Sequence, residues 1–194
     1  ELASQKARQA RALPVTVRAN HFNNGFAASP VGPDGIRLFA TNHVREDVAT
    51  YSNELTTAAD LSTTSLEQAL IDFSNFRDGG GKRLQIRPTT LLVPSDLRFS
   101  AVRILDSPGD PDTDTNAIQP VGDLGLKVVV WHYLTDTDAW FLLADKSDHK
   151  MLLYDRQPFT TSHIFDFDTG DIKFKGTFWQ SSGWADPRGV FGSP

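Results

Sequence analysis

Three acidic residues at alternate positions, Asp110, Asp112 and Asp114, come nearest to a ligand set in this chain. They repeat the spacing of the first three oxygen donors of a calcium loop. However, Thr115 occupies the place of the tight-turn glycine and Val121 that of the closing bidentate glutamate. The run therefore reads as a solvated acidic loop. Gly79-Gly80-Gly81-Lys82 has the composition of a phosphate cradle, which requires Gly-x-x-x-x-Gly-Lys-Ser/Thr between a strand and a helix. Here the glycines follow a helical pattern and Arg83 follows the lysine, so they read as a helix terminator. Asp166, Asp168 and Asp171 could supply the paired carboxylates of glycoside hydrolysis. On a hairpin, though, Asp166 and Asp168 share one face opposite Phe165 and Phe167, the pattern of the wet side of a half-buried sheet. His21, His43, His132, His149 and His163 are scattered, and no pair has the spacing of a helical zinc site. No nucleophile-elbow, kinase or dinucleotide pattern is present. The expectation is a protein that is not an enzyme, with no catalytic, metal or cofactor residues. The alternative is a carbohydrate-binding β-rich module using Trp140, Trp179 or Trp184 as platforms, with a hydrolase behind it; core or interface packing is the commoner use of such side chains.

The elements that would position these residues read as α+β. Residues 1–13 are rich in helix formers, and Pro14 is expected to end or kink that helix near Leu13. Segment 23–35 reads as a loop. Thr64 and Glu67 have capping-box spacing ahead of an apolar stripe of Leu66, Ala69, Leu70, Phe73 and Phe76, which Gly79–Gly81 should stop. A second helix is expected after Pro94, capped by Ser95 and striped by Leu97, Ala101, Ile104 and Leu105, with Pro108 ending it. Leu84 with Ile86, and Thr90–Val93, read as strands; 106–121 reads as a long exposed loop. Val128–Trp131, Trp140–Ala144 and Met151–Tyr154 read as buried strands, and Phe165/Phe167 with Ile172/Phe174/Phe178 as a hairpin around a two-residue Thr169-Gly170 turn.

Composition narrows the function classes. At 194 residues, the chain can bury one domain core or two lobes sharing one. The absence of cysteine excludes disulfides, thiolate nucleophiles and zinc–thiolate sites, and is compatible with folding in a reducing cytoplasm. The net charge of −5 is the wrong sign for a dedicated nucleic-acid binder, whose affinity comes from neutralising phosphates. Lys6, Arg8, Arg11 and Arg18 nevertheless make the N-terminal stretch locally basic, and Arg8, Arg11 and Arg18 are candidates to face DNA or a neighbouring subunit. No apolar run approaches the ~20 residues of a membrane-spanning helix. The chain starts without methionine, so it is expected to be processed or part of a longer one.

A set of short blocks in fixed order carries a further signal. Asp34-Gly35 leads through Leu38-Phe39 and Thr41 to His43; Ser52-Asn53, Leu61-Ser62 and Leu66-Glu67 with Ala69 follow. Pro88, Leu91, Val93 and Pro94 come next, then Asn116, Trp140, and finally Trp184 with Arg188. In order and spacing these blocks resemble the major capsid proteins of tailed bacteriophages, in particular the Mu-type major head subunit family with the Hong Kong 97 capsid fold, over about residues 21–194.

The resemblance implies an α+β subunit with peripheral and axial lobes, a spine helix and mixed or antiparallel sheets. It divides the chain into 1–81 (a remnant of the N-terminal and spine-helix region with part of the peripheral lobe), 82–145 (mainly axial lobe) and 146–194 (return to the peripheral sheet). Asp106, Asp110, Asp112, Asp114 and Asn116 would then form an axial loop making assembly contacts. The implied partner is the chain itself, as homo-pentamers and homo-hexamers of an icosahedral head around double-stranded DNA, assembled in the bacterial cytoplasm. A decoration protein and a portal would be further partners, packaged DNA only a non-specific one, and a membrane none. The family's N-terminal arm and its long extended loop, which reaches over a neighbouring subunit, are not recognisable before Pro33.

Overall fold

The computed structural model describes residues 2–47, 49–107, 109 and 120–194; for 2–11 and 123 it describes the backbone alone. Helix α1 (Leu2–Asn23) leads into an irregular stretch carrying a two-stranded ribbon, β1 (His43–Val44) with β2 (Thr50–Tyr51). Helix α2 (Thr63–Ser74), strand β3 (Pro88–Val93), helix α3 (Arg98–Asp106), a 3₁₀ turn (Gly122–Leu124), β4 (Lys127–Val130) and β5 (Trp140–Ala144) follow. A long hairpin of β6 (Met151–Phe165) and β7 (Ile172–Trp184) precedes the last strand, β8 (Val190–Ser193).

Four strands form one sheet in the order β4-β3-β5-β8, parallel between β3 and β4 and antiparallel elsewhere. Strands buried on both faces read as continuous apolar runs, which explains Leu91-Leu92-Val93 and Trp140-Phe141-Leu142. The period of two sends Leu91, Val93, Trp140, Leu142 and Phe191 into one core with Leu66, Ala69 and Phe73 of α2 and Ala101, Ile104 and Leu105 of α3. Leu92, Phe141 and Val190 point the other way, into a second core with Phe22 of α1, Leu38, Phe39 and Trp184.

Of the two outcomes expected at Pro14, an end and a kink, the structure removes the first: helix α1 runs through Pro14 to Asn23. An interior proline costs about 3 kcal/mol. Burial beyond it offsets that cost. Ala19 and Phe22 are both buried, and the Phe22 ring meets those of Phe141 at 5.1 Å and Trp131 at 5.8 Å. Full burial of one phenylalanine contributes about 1.5–3 kcal/mol.

The caps also differ from expectation. Helix α2 has a capping box, but of Ser62 and Ser65, not Thr64 and Glu67: the Ser62 hydroxyl accepts the Ser65 amide at 3.1 Å and the Ser65 hydroxyl accepts the Ser62 amide at 2.9 Å. The helix ends at Ser74 with Asn75 as cap, before the glycines. Gly79–Gly81 belong instead to a turn closed by an Arg77–Arg83 bridge, in which the Asp78 carboxylate accepts the Lys82 amide at 2.8 Å. Leu84 and Ile86 form no strand; they rest half-buried against the α2–α3 core. Ser95 does not cap α3, because its hydroxyl is bonded to His132 Nδ1 at 2.8 Å. Pro108 and residues 110–119 of the predicted loop lie outside the described residues.

The hairpin departs furthest from the sequence reading. Leu152, Leu153 and Tyr154 are exposed, not buried. Among the described residues, strands β6 and β7 pair only with each other, from Met151↔Trp184 to Phe165↔Ile172. The turn is longer than two residues: it spans 166–171, with the Asp166 carbonyl accepting the Gly170 amide at 2.9 Å and Gly170 at φ 72°. Near its base the hairpin rests on α1, where His21 Nε2 and the Ser182 hydroxyl are 2.8 Å apart.

Candidate functional site

The irregular stretch after α1 brings the first two blocks of the sequence signature together, and they prove to be scaffolding. Asn53 is fully buried and ties three segments: its side-chain oxygen accepts the Ala40 amide at 2.9 Å, and its amide nitrogen donates to the carbonyls of Leu38 at 2.8 Å and Pro187 at 3.4 Å. Arg37 spans the same stretch, donating to the carbonyls of Phe39 and Phe26 and to the Glu54 carboxylate at 2.9 Å. A stretch with so few ladder bonds must satisfy its buried backbone groups from side chains. The Asp-Gly…His and Ser-Asn blocks supply them.

His43 shares this role. Its ring is fully buried, with Nδ1 2.6 Å from an Asp34 carboxylate oxygen, Nε2 3.3 Å from the Leu38 carbonyl, and Tyr51 stacked at 5.2 Å. Above Asp34 opens a cavity of about 300 Å³, lined by Tyr51, Arg45, Asp186 and Arg188 among others. This is where general acid–base chemistry would be sought. Both arginines there are already paired: Arg188 clasps Asp186, with Nη2 at 2.6 Å, and Arg45 holds Asp47 at 2.8 Å. Burial first, and then the Asp186 carboxylate, push the Tyr51 phenol far above its ordinary pKa, so it stays protonated. The described lining holds no serine, threonine or cysteine nucleophile. Both nitrogens of His43 are committed to fixed partners, and no face of the ring reaches the cavity. The cluster holds β1, β2 and the turn before β8 together.

The hairpin has the opposite character. Phe165 pairs with Ile172 and His163 with Phe174, so one face near the tip is apolar, and it is uncovered. Phe167, in the turn, is 93% exposed. On the other face Lys173 bonds the Asp166 carboxylate and holds its pKa below the ordinary range; Asp166 therefore sits in an exposed turn with its charge already paired. That placement does not suit the acid–base pair of a hydrolase. The three tryptophans divide similarly. Trp140 is fully buried and donates its indole N–H to the Ala59 carbonyl at 3.0 Å. Trp184 is buried, edge-on to His21 at 5.5 Å. Trp179 is exposed, but the Arg156 guanidinium lies over its ring at 4.7 Å. Two of the three candidate sugar platforms are therefore inside the molecule.

Of the residues singled out in the sequence, Asp106 is the exposed last residue of α3. Asp110, Asp112, Asp114 and Asn116 lie outside the described residues. Arg8 and Arg11 lie on α1, with their side chains outside the described set. Arg18, on α1, is half-buried by the hairpin base, and its Nε has no hydrogen-bond partner among the described residues. Sequence reasoning found the hairpin but missed that it stands free of the four-stranded sheet. The signal was available in the strict alternation of β7, but alternation shows that one face is apolar and not what covers it.

Compared with known proteins, the chain matches, over residues 7–192, the model of a family described as phage capsid protein. No curated protein matches it.

Proposed function

Because the chain belongs to the phage capsid protein family, we propose that it is a major capsid protein of the Mu-type head subunit group with the Hong Kong 97 fold. In this reading it assembles as homo-pentamers and homo-hexamers into an icosahedral shell around double-stranded DNA. The long α1 acts as the spine helix and, with α2, the β6–β7 hairpin and β8, belongs to the peripheral lobe; residues 82–145, with β3, α3, β4 and β5, make mainly the axial lobe. The 106–121 segment, with Asp106, Asp110, Asp112, Asp114 and Asn116, lies toward the capsomer centre. Arg8 and Arg11 face a neighbouring subunit or the packaged DNA.

The observation that carries this reading is the hairpin. A body whose sheet is sealed on both faces projects a ribbon whose apolar face no described residue of the chain covers, and an exposed apolar face of this kind marks a protein interface. Rings of identical subunits supply the cover through heterologous side-to-side contacts, each of modest strength and multiplied by copy number. A net charge of −5 suits a wall that must not bind its cargo tightly. Assembly in the bacterial cytoplasm, with a portal and a decoration protein as partners, completes the proposal. Electron microscopy of the purified native assembly, with intact mass of the same sample, tests it. Closed uniform shells of this polypeptide are expected, and a monodisperse monomer at shell-forming concentrations would sink it.

A further inference from the structure

The base of the hairpin carries a feature that its tip lacks. An apolar cavity of about 170 Å³ opens between α1, the four-stranded sheet and the first residues of β6, lined by Phe22, Trp131, Met151 and Leu153, with Arg18 on its edge. A protein cavity of about 150 Å³ with such a lining accepts one benzene ring. The most exposed apolar side chain in the described structure, Phe167, carries such a ring.

The polar neighbours match as well. Beside the cavity, Arg18 Nε is buried without a hydrogen-bond partner and Arg18 makes no ion pair among the described residues. An unsatisfied buried donor of this kind costs about 1–3 kcal/mol and calls for an acceptor. At the tip, Asp166 is taken by Lys173, whereas the carboxylate of Asp168, adjacent to Phe167, has no partner among the described residues. The tip thus presents an aromatic ring next to a carboxylate with no partner among the described residues, and the base presents a ring-sized apolar hole next to a guanidinium whose buried Nε has no acceptor among them.

The two halves cannot meet within one chain. From Leu153 to Phe165 the strand climbs 12 residues, roughly 40 Å at ~3.3 Å per residue, and the paired β7 keeps it extended.

We propose that the hairpin tip of one subunit docks into the hairpin base of a second copy of this chain, with Phe167 filling the cavity and Asp168 pairing with Arg18. The contact is head-to-tail, so each subunit gives one tip and receives one, and repetition closes a ring or propagates a lattice. It rests on the assembly reading above and specifies where one of its contacts lies. It also assigns Arg18 to a subunit contact and not to DNA.

The chain has no cysteine, which makes cross-linking clean. Shell formation by the unmodified full chain is established first; a chain that forms no shells overturns the assembly reading and the docking with it. Phe167→Cys and Leu153→Cys variants are then co-assembled, oxidised mildly and run without reductant. A disulfide-linked dimer is expected in mixed shells, and a ladder of higher multimers from the double variant. Well-formed mixed shells that yield only monomer overturn the docking while leaving the assembly reading standing. So do shells of Phe167→Cys alone that cross-link, since tips would then meet tips. The charge pair has its own test in Asp168→Lys, which should lose shell yield, and in adding Arg18→Glu, which should regain it. Failure to regain, with both variants showing the parent thermal midpoint, overturns the pairing.

Discussion

Two β regions of this molecule use the same kinds of residue to opposite ends. The four-stranded sheet places Leu91, Leu92, Trp140, Phe141 and Phe191 between two cores, and each of these side chains is almost completely shielded. The β6–β7 hairpin places Phe165, Phe167, Ile172, Phe174 and Trp179 in water. Neither aromatic content nor β propensity separates the two. What differs is whether another element of the same chain lies within reach: α2, α3 and α1 flank the sheet, whereas only the base of the hairpin touches α1. Apolar surface without an intramolecular cover is a cost to a monomer and a resource for an assembly. The sheet therefore carries stability and the hairpin carries association.

If that division holds, the same substitution should have unequal effects in the two regions. Trp140→Ala removes a fully buried ring and the bond to the Ala59 carbonyl, and should destabilise the subunit by about 3–5 kcal/mol in chemical denaturation. Trp179→Ala, which loses an exposed ring and one cation–π contact, should cost under about 1 kcal/mol. Comparable losses from both would break the comparison.

Asn53→Ala is expected next in size. It strands the Ala40 amide and two carbonyl bonds inside the body, at a cost of about 1–3 kcal/mol, visible as a lower thermal midpoint. An unchanged midpoint would show that water or a shifted backbone replaces them.

A glycine pair sharpens the contrast further. A side chain at Gly192 in β8 would put its Cβ 2.9 Å from the Phe141 ring and 3.1 Å from those of Phe26 and Phe39, so Gly192→Val should cost about 1–3 kcal/mol by overpacking. At Gly183 in β7 nothing lies within 4 Å, so Gly183→Val should leave the monomer's denaturation curve within about 0.5 kcal/mol. Because Gly183 lines the cavity proposed to receive Phe167, the same variant should lower shell yield. Parent-like assembly of Gly183→Val would count against docking at that site.

The contrast also explains which parts were legible in the sequence. Strand β5 was read to the residue, and β3 and α2 nearly so, because runs such as Trp140–Ala144 and the Leu66/Ala69/Phe73 stripe are both locally patterned and buried by neighbours. Whether helix α1 ended or continued at Pro14 was not legible, because local propensity knows nothing of Phe22 packing against Phe141. The hairpin strands were legible as strands, yet their exposure was not. The signature residues Asp34, His43 and Asn53 were visible as blocks while their polar ties were not, since those run through an irregular stretch with no periodic pattern and, for Asn53 with Pro187, join distant parts of the chain. Arg18 looked like one basic residue among several until the fold buried its Nε.

The smallest expected effect lies where the two regions meet. His21 of α1 faces the Ser182 hydroxyl and the edge of the Trp184 ring, at the root of the hairpin. Partial burial there lowers its pKa from the ordinary 6.5, and the contact with Ser182 only partly reverses this. The folded subunit thus holds its proton less well than the unfolded chain. The resulting stability is full above the unfolded value and is lost as pH falls from about 6.5 through the lower folded value, because the unfolded chain binds protons more readily across that window. His149, before β6, is shifted the same way, again by burial, and its Nδ1 accepts the Met151 amide at 3.3 Å, a bond that protonation removes. Acidification should therefore loosen the seat of the hairpin before it disturbs the sheet. The thermal midpoint should drop between pH 7.5 and 5.5, with His21→Gln flattening part of that slope and His149→Gln another part. Amide exchange should rise in Leu152–Tyr154 before it rises in Leu91–Val93. If the slope survives both substitutions, or the two regions gain exchange together, the root of the hairpin is not the acid-sensitive joint and the two regions unfold as one unit.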